Sequence, residues 1–299
     1  MTERENYSFD FASAFADKNK IRAGSLYLVA TPIGNLEDIS ARALKTLYEC
    51  DFVAAEDTRN TAKLLRFFGI SKPIESYYEH NKEKSGENII SKLKAGKSCA
   101  LVTDAGMPAI SDPGEDIVRL CKEENIEVFI VPGACAAVSA LALSGLSTRY
   151  FAFEGFLPTD TKTRKQRLEK IAAEERTLIL YEAPHKLKNT LCDLQKVMGN
   201  RKMCICRELT KINEESIKTT VDEAVLHYES AEPKGEYVLV IEGICEEEIK
   251  KTAFWQTLSK REHVEYYVGT GMSKNDAIKA AARDRGVAKS EIYNEVMKK

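Results

Sequence analysis

Apolar runs rich in Val, Ile, Leu and Tyr recur at 25–30, 51–55, 98–102 and 126–131, and the stretches between them repeat their apolar residues at helical spacing. This alternation predicts strands joined by crossover helices, and therefore a largely parallel sheet. After Ile39, for example, Ser40 can cap a helix that carries Ala43, Leu44, Leu47 and Tyr48 on one face. Beyond Gly145 the rhythm changes. Runs at 151–156, 176–181, 203–207, 215–221 and 237–241 come with fewer helical stretches between them, which predicts hairpins and a domain boundary near 145–150. Past Gly243, Glu246, Glu247, Glu248, Lys250 and Lys251 predict a solvated linker, and helical periodicity resumes over 253–299. The pattern divides the chain into an N-terminal extension (1–23), an α/β domain (24–147), a second α/β domain (148–244) and a small helical module (250–299).

Composition narrows the class. With 299 residues and 43% hydrophobic content, there is material for two cores. Residues 1–23 are too charged for a signal peptide, and no stretch reaches the ~18 apolar residues of a spanning helix, so a cytoplasmic protein is expected. The eight cysteines include no Cys-x-x-Cys and are expected as free thiols. The four histidines include no i, i+4 pair, so no metal site is expected. Forty-four basic residues against 46 acidic ones exclude a uniformly basic nucleic-acid binder, so any such contact must come from local patches.

Loops leaving the carboxyl ends of parallel strands line the ligand crevice of an open α/β sheet. Three such loops are rich in glycine and proline: Thr31-Pro32-Ile33-Gly34-Asn35, Asp104-Ala105-Gly106-Met107-Pro108 and Pro132-Gly133-Ala134-Cys135-Ala136. Their equivalent placement predicts a shared site. Familiar phosphate cradles fail. Gly96-Lys97-Ser98 lacks the first glycine of a P-loop and precedes a strand, and Gly269-Thr270-Gly271 lacks the third glycine of the dinucleotide fingerprint and predicts a turn between helices.

Six stretches carry a resemblance: Thr31–Leu36, Ala55-Glu56-Asp57-Thr58-Arg59, Asp104–Pro108, Ser111-Asp112-Pro113-Gly114, Tyr181-Glu182-Ala183-Pro184-His185 and Arg207-Glu208-Leu209-Thr210-Lys211. Together with Gly235–Gly243, their order and spacing over residues 24–243 resemble the ribosomal RNA small subunit methyltransferase I family, a branch of the tetrapyrrole methylases. The resemblance implies two α/β domains with S-adenosylmethionine in the cleft between them and a homodimer. As substrate it implies a decoding-region cytidine of 16S ribosomal RNA, within the small ribosomal subunit. It also implies donor contacts at Pro32, Asp104, Met107, Ile110, Cys135, Ala136, Tyr181, Leu209 and Glu236. Two departures stand out: Met107 replaces the family's usual threonine, and Ala134-Cys135 its usual Pro-Ser.

Methylation of a ribose 2′-hydroxyl asks for a group to take its proton, and Glu56, Asp57, His185 and Glu208 are the candidates, with salt bridges to Arg59 or Arg207 as the structural alternative for the acids. Arg59 and Lys211 are candidates for a backbone phosphate. Lys162, Arg164, Lys165 and Arg167, beside Lys170, form a basic run expected to face RNA. Residues 250–299 hold eleven Lys and Arg against six Asp and Glu. There Ser273 and Ser290 can start helices around Gly286, an arrangement that resembles a helix-turn-helix module and is expected to dock on the main body or a dimer partner. The competing readings are a methylase of this fold acting on a tetrapyrrole or a protein, and a non-catalytic RNA-binding assembly protein.

Overall fold

The structure is a computed structural model that describes residues 20–112, 114–244 and 254–297. Most of the extension 1–23, Pro113, the charged stretch 246–251 and the terminal Lys298 and Lys299 lie outside the described residues.

Five parallel strands form the first sheet in the order β3-β2-β4-β1-β5, with β1 at Leu26–Val29, β2 at Phe52–Ala55, β3 at Ile74–Ser76, β4 at Cys99–Val102 and β5 at Val128–Val131. Successive side chains of a strand point to opposite faces. Tyr27 and Val29 therefore enter a core with helices α1 (Ala41–Glu49) and α2 (Thr58–Phe67), through Ala43, Leu44, Leu47 and Leu65. Leu26 and Leu28 enter a second core with α3 (Lys82–Lys94) and α4 (Gly114–Glu123), through Ile89, Leu93 and Ile117. Covering on both faces is why these strands read as unbroken apolar runs. Ser40 caps α1 as expected, but Tyr48 is half exposed, with the Lys72 ammonium 5.7 Å from its ring centroid. The sequence pattern does not reveal β3, a three-residue edge strand.

The second sheet runs β6-β7-β10-β8-β9, from Phe151–Phe156, Thr177–Glu182, Lys202–Arg207, Glu215–Thr220 and Tyr237–Ile241 for β6 to β10. Only β6–β7 is a parallel pair. The expected hairpins reduce to one, β8–β9. Helices α6 (Thr161–Ala172), α7 (Pro184–Met198) and α8 (Val221–Ser230) join the other strands, because Leu168 and Ile171, Leu187, Leu191 and Leu194, and Val221, Ala224 and Tyr228 give each an apolar face for the sheet.

Helix α5 (Ala136–Leu143), which follows β5 of the first sheet, packs its Ala137, Ala140 and Leu141 against Ile179, Cys204, Val238 and Val240 of the second. Burying Leu141 alone contributes roughly 2 kcal/mol. This contact fixes the two sheets with an open cleft at the ends of their loops.

Residues 254–297 form a separate small core. Helices α9 (Lys260–Gly269), α10 (Lys274–Arg285) and α11 (Lys289–Met297) pack Val264, Ala277, Ile278, Ala281, Ala282 and Ile292 together. Ser259 and Glu262 make a capping box, Ser273 caps α10, and Gly286 ends it at φ +64°. The last helix starts at Lys289, one residue before the expected Ser290. Gly269-Thr270-Gly271 is the turn between α9 and α10, and Gly96-Lys97-Ser98 leads into β4 with no helix after it. Among the described residues no helix is long and apolar enough to cross a membrane, and no three His, Cys, Asp or Glu side chains gather as a metal site.

Candidate active site

The loops after β1 and β4 are tied to each other at the mouth of the first sheet. Thr31 and Gly106 exchange backbone hydrogen bonds of 2.9 and 3.1 Å, and the Thr31 hydroxyl donates to the Thr103 carbonyl at 3.1 Å. Gly106 holds φ +83°, and a Cβ there would stand 3.1 Å from Ile33 Cγ2, so any other residue would be strained and would crowd Ile33 where the two loops meet. Further along, Ala109 and Ser111 both take positive φ, +67° and +62°. The Asp112 carboxylate offsets that strain by accepting from the backbone N–H of Ala109 (2.9 Å) and Gly114 (2.7 Å), while burial raises its pKa.

The second sheet supplies the opposite wall. Tyr181 near the end of β7 accepts from the Ala137 N–H at 3.1 Å, and burial pushes its phenol up to about 12. Phe153 and Phe156 pack edge-on against its ring. Next to it, buried Glu182 accepts a short hydrogen bond from the Thr190 hydroxyl. In the turn after β8, Glu208 Oε1 accepts from Lys211 Nζ (2.8 Å) and the Glu236 N–H (2.9 Å), and Lys211 also meets Glu236 Oε2 at 2.9 Å. This turn touches the first sheet's loop. Asn35 N–H donates to Thr210 Oγ1 at 3.1 Å, and a Cβ on Gly34 would lie 2.4 Å from Lys211 Cγ.

Between the walls lies a cavity of about 560 Å3. It brings together Asp104, Met107, Ile110, Cys135, Ala136, Tyr181, Leu209 and Glu236, and from the proton-accepting candidates Glu56 and His185. Pro32 instead lines an adjoining groove of about 450 Å3, together with Lys211. Asp57 and Glu208 stand outside the cavity. Asp57 caps α2 and pairs with Arg59 at 2.7 Å; those bonds hold its carboxyl down at about 2, which makes it a poor base. Glu208 is held low by Lys211. Arg207 pairs with Glu215 rather than with either acid. Glu56 has the opposite environment. Partial burial raises its pKa even though much of the side chain is open to solvent, the Thr103 hydroxyl donating to it at 3.1 Å opposes that, and the carboxylates of Asp104 and Asp112 raise it further.

The basic run on α6 is not part of this cleft. Arg164 was expected to face RNA, yet its side chain is only 17% exposed and donates to Asp193 (3.0 Å) and Thr190 (2.8 Å) on α7. Arg167 donates to the nearly buried Glu154 at 2.6 Å. Arg164 serves to pack α6, because an unpaired cation there would carry a desolvation cost, and the more exposed Arg167 instead satisfies the nearly buried Glu154 carboxylate. Lys162 and Lys165 are exposed on the same helix, and Arg59 is exposed beside Asp57. Thr103, Asp112, Glu182 and Phe156 also line the cavity, although the sequence did not single them out; Asp112 and Glu182 lie inside the family motifs, which is the signal that could have found them.

The lining combines apolar walls from Ile33, Met107, Ile110, Leu209 and Val238 with the carboxylates of Glu56, Asp104 and Asp112. Such a pocket suits a small ligand with an apolar body and positive charge, and its volume falls in the range of ligand sites.

Residues 25–225 match the tetrapyrrole (corrin/porphyrin) methylases. The ribosomal RNA small subunit methyltransferase I of Halalkalibacterium halodurans is 52% identical over 91% of this chain and 94% of its own length. That of Bacillus subtilis is 47% identical over 91% and 93%. Among solved structures, a uroporphyrin-III C-methyltransferase from Thermus thermophilus superposes with a TM-score of 0.54 at 18% identity, covering 73% of this chain and 94% of that one. A cobalamin biosynthetic enzyme, cobalt precorrin-4 methyltransferase, gives 0.55 at 19% identity, over 73% and 95%. These two share the fold. From the identities and coverage of the sequence relatives, the chain belongs to the ribosomal RNA small subunit methyltransferase I family of the tetrapyrrole methylases.

Proposed function

We propose that this protein transfers a methyl group from S-adenosylmethionine to the ribose 2′-hydroxyl of a decoding-region cytidine in 16S ribosomal RNA, acting in the cytoplasm on the small ribosomal subunit. The observation that carries this reading is the cavity itself, whose lining gathers the solvent-exposed carboxylates of Glu56 and Asp104 with apolar side chains, beside an open groove. When bound, the donor would supply an electrophilic methyl carbon on a sulfonium, and the electron pair of the broken S–C bond would leave with the neutral thioether.

The chain's own work is placement, exclusion of water and proton handling. Met107, Cys135, Ala136 and Leu209 line the cavity and would hold the donor through main-chain atoms, which the departures at Met107 and Ala134-Cys135 leave in place. Asp104, with Glu236 at the opposite wall, would meet polar and positive parts of the donor, and Ile110 and Tyr181 would shape its apolar seat, with Pro32 in the adjoining groove. Glu56 Oε1 or Oε2 takes the hydroxyl proton as the new O–C bond forms, since its raised pKa makes it a stronger base than an ordinary glutamate. His185 at the start of α7 stands at the same cavity and is the alternative acceptor. Lys211, held by Glu208 and Glu236, would meet a backbone phosphate only by giving up one of these carboxylates.

The units 24–147 and 148–244 act as the two jaws of this cleft, and 250–299 adds phosphate contacts. A homodimer is supported by the apolar surface of Ile130, Val138, Leu143, Tyr150 and Phe151, all exposed around β5, α5 and β6.

The test is transfer of labelled methyl from S-adenosylmethionine to small subunits from cells lacking the protein, followed by digestion to nucleosides. Label in 2′-O-methylcytidine is expected. Label confined to a tetrapyrrole or a protein would overturn the assignment.

A further inference from the structure

The groove beside the donor cavity has a construction of its own. The two spaces share Ile33, Thr103, Asp104, Ala105 and Glu236, so they are continuous. The far wall is helix α2, which presents Asn60, Lys63, Leu64 and Phe67 to the groove. Spacing of i, i+3, i+4 and i+7 places these four on one helical face. The helix meets its core through Thr61 and Leu65, with Leu64 packed partly against the same core and Thr61 reaching the groove floor. Phe67 is left 48% exposed and Leu36, which lines the same groove, 37% exposed. An aromatic and an aliphatic side chain are thus held open to solvent where the groove meets a neighbouring depression, with Lys63 exposed beside them and Lys211 held by Glu208 and Glu236.

We propose that this groove seats the acceptor nucleotide, with its base against Phe67 and Leu36, its polar edge at Asn60 and a flanking phosphate at Lys63. The proposal rests on the reading of the protein as an RNA methylase and deepens it by naming the acceptor subsite. Recognition of an unstacked base needs an aromatic platform, a polar group for its edge and a cation for the backbone. One face of α2 supplies all three. Asn60 Nδ2 donates to Asp104 Oδ2 at 3.3 Å, which couples the reading side chain to the donor cavity and leaves its carbonyl oxygen able to accept from an exocyclic amino group. A base so held would place its ribose toward the shared boundary, where Thr103 joins the groove to Glu56.

The experiment is steady-state methylation of small subunits from cells lacking the protein, at saturating S-adenosylmethionine, with donor affinity measured separately by calorimetry. Phe67→Ala should raise KM for subunits about tenfold, a loss in the range of one base–aromatic stack, while Phe67→Tyr should stay near wild type. Lys63→Ala should raise KM a few-fold and reduce its salt dependence. Donor affinity should be unchanged in all three. Phe67 packs edge-on against buried Phe68 at 4.9 Å, so a thermal melt accompanies that variant, and exposed Lys63 provides the test that does not touch the core. Wild-type KM in Lys63→Ala together with wild-type KM in a folded Phe67→Ala would overturn the subsite while leaving the methylase reading in place. Absence of any label in subunits with the wild-type protein would overturn both.

Discussion

The cleft and helix α6 both looked functional in sequence, and they use their charges in opposite ways. In the cleft, neighbouring carboxylates are left to face one another: Glu56 lies near Asp104 and Asp112, and its pKa is raised. On α6, Arg164 and Arg167 are matched to Asp193 and Glu154. Charges that are matched stabilise a fold, whereas like charges gathered in a concavity destabilise it and persist where a ligand or a reaction uses them. The distinction separates site from scaffold better than charge density does.

The largest effect expected is at Glu56. Glu56→Gln should lower the methylation rate about 10²- to 10⁴-fold, the usual span for losing a general base. In the wild type the rate should fall as pH drops through a pKa above the ordinary glutamate value of about 4.3, and that limb should vanish in the variant. Stability should move the other way. A carboxyl whose pKa is raised by folding binds its proton more tightly in the folded state, so it stabilises that state at low pH and costs stability once pH exceeds its folded pKa. Glu56→Gln is therefore expected to melt at a higher temperature at neutral pH. A lower melting temperature would place Glu56 with the scaffold.

Arg164→Ala should do the reverse. Removing the guanidinium leaves Asp193 with only the looser Lys196 contact at 3.8 Å and takes a donor from Thr190 at the α6–α7 packing, at a cost of about 2 kcal/mol after allowing for partial exposure of the pair. Denaturant unfolding would measure the loss, and the donor affinity of the folded variant should equal that of wild type. A loss of activity without loss of stability would show that this arginine touches substrate after all.

Smallest of all should be Lys162→Ala with Lys165→Ala. If exposed α6 lysines meet RNA, the slope of log affinity against log salt should shrink by about 0.7 for each single-strand phosphate that is no longer neutralised. An unchanged slope would make the whole helix scaffold.

These contrasts also explain what was readable in the chain. Strands β1, β2 and β4 were legible because cores on both faces demand continuous apolar residues, while β3 was too short and too near the edge to leave such a trace. The charges on α6 suggested a solvated helix start, and its packing role stayed hidden because Leu168 and Ile171 are its only buried residues. The loops at Thr31 and Asp104 announced themselves through glycine and proline, whose backbone roles are local. The roles of Thr103, Glu182 and Arg164 depend on partners away from their own segments, as Arg164 does on Asp193, and such pairings leave no local pattern. Asp57 and Glu56, adjacent in sequence, were indistinguishable there; the turn into α2 makes one a cap and gives the other to the cavity.

The central claim is that the cleft between the two sheets, and no other surface, binds the methyl donor. Calorimetric titration of S-adenosylmethionine into wild type, Asp104→Ala and the double variant Lys162→Ala with Lys165→Ala tests it most directly. Binding about tenfold weaker in Asp104→Ala, the loss of roughly one charge-assisted hydrogen bond, with the lysine variant unchanged, is the predicted result. Wild-type donor affinity in a folded Asp104→Ala protein would contradict it.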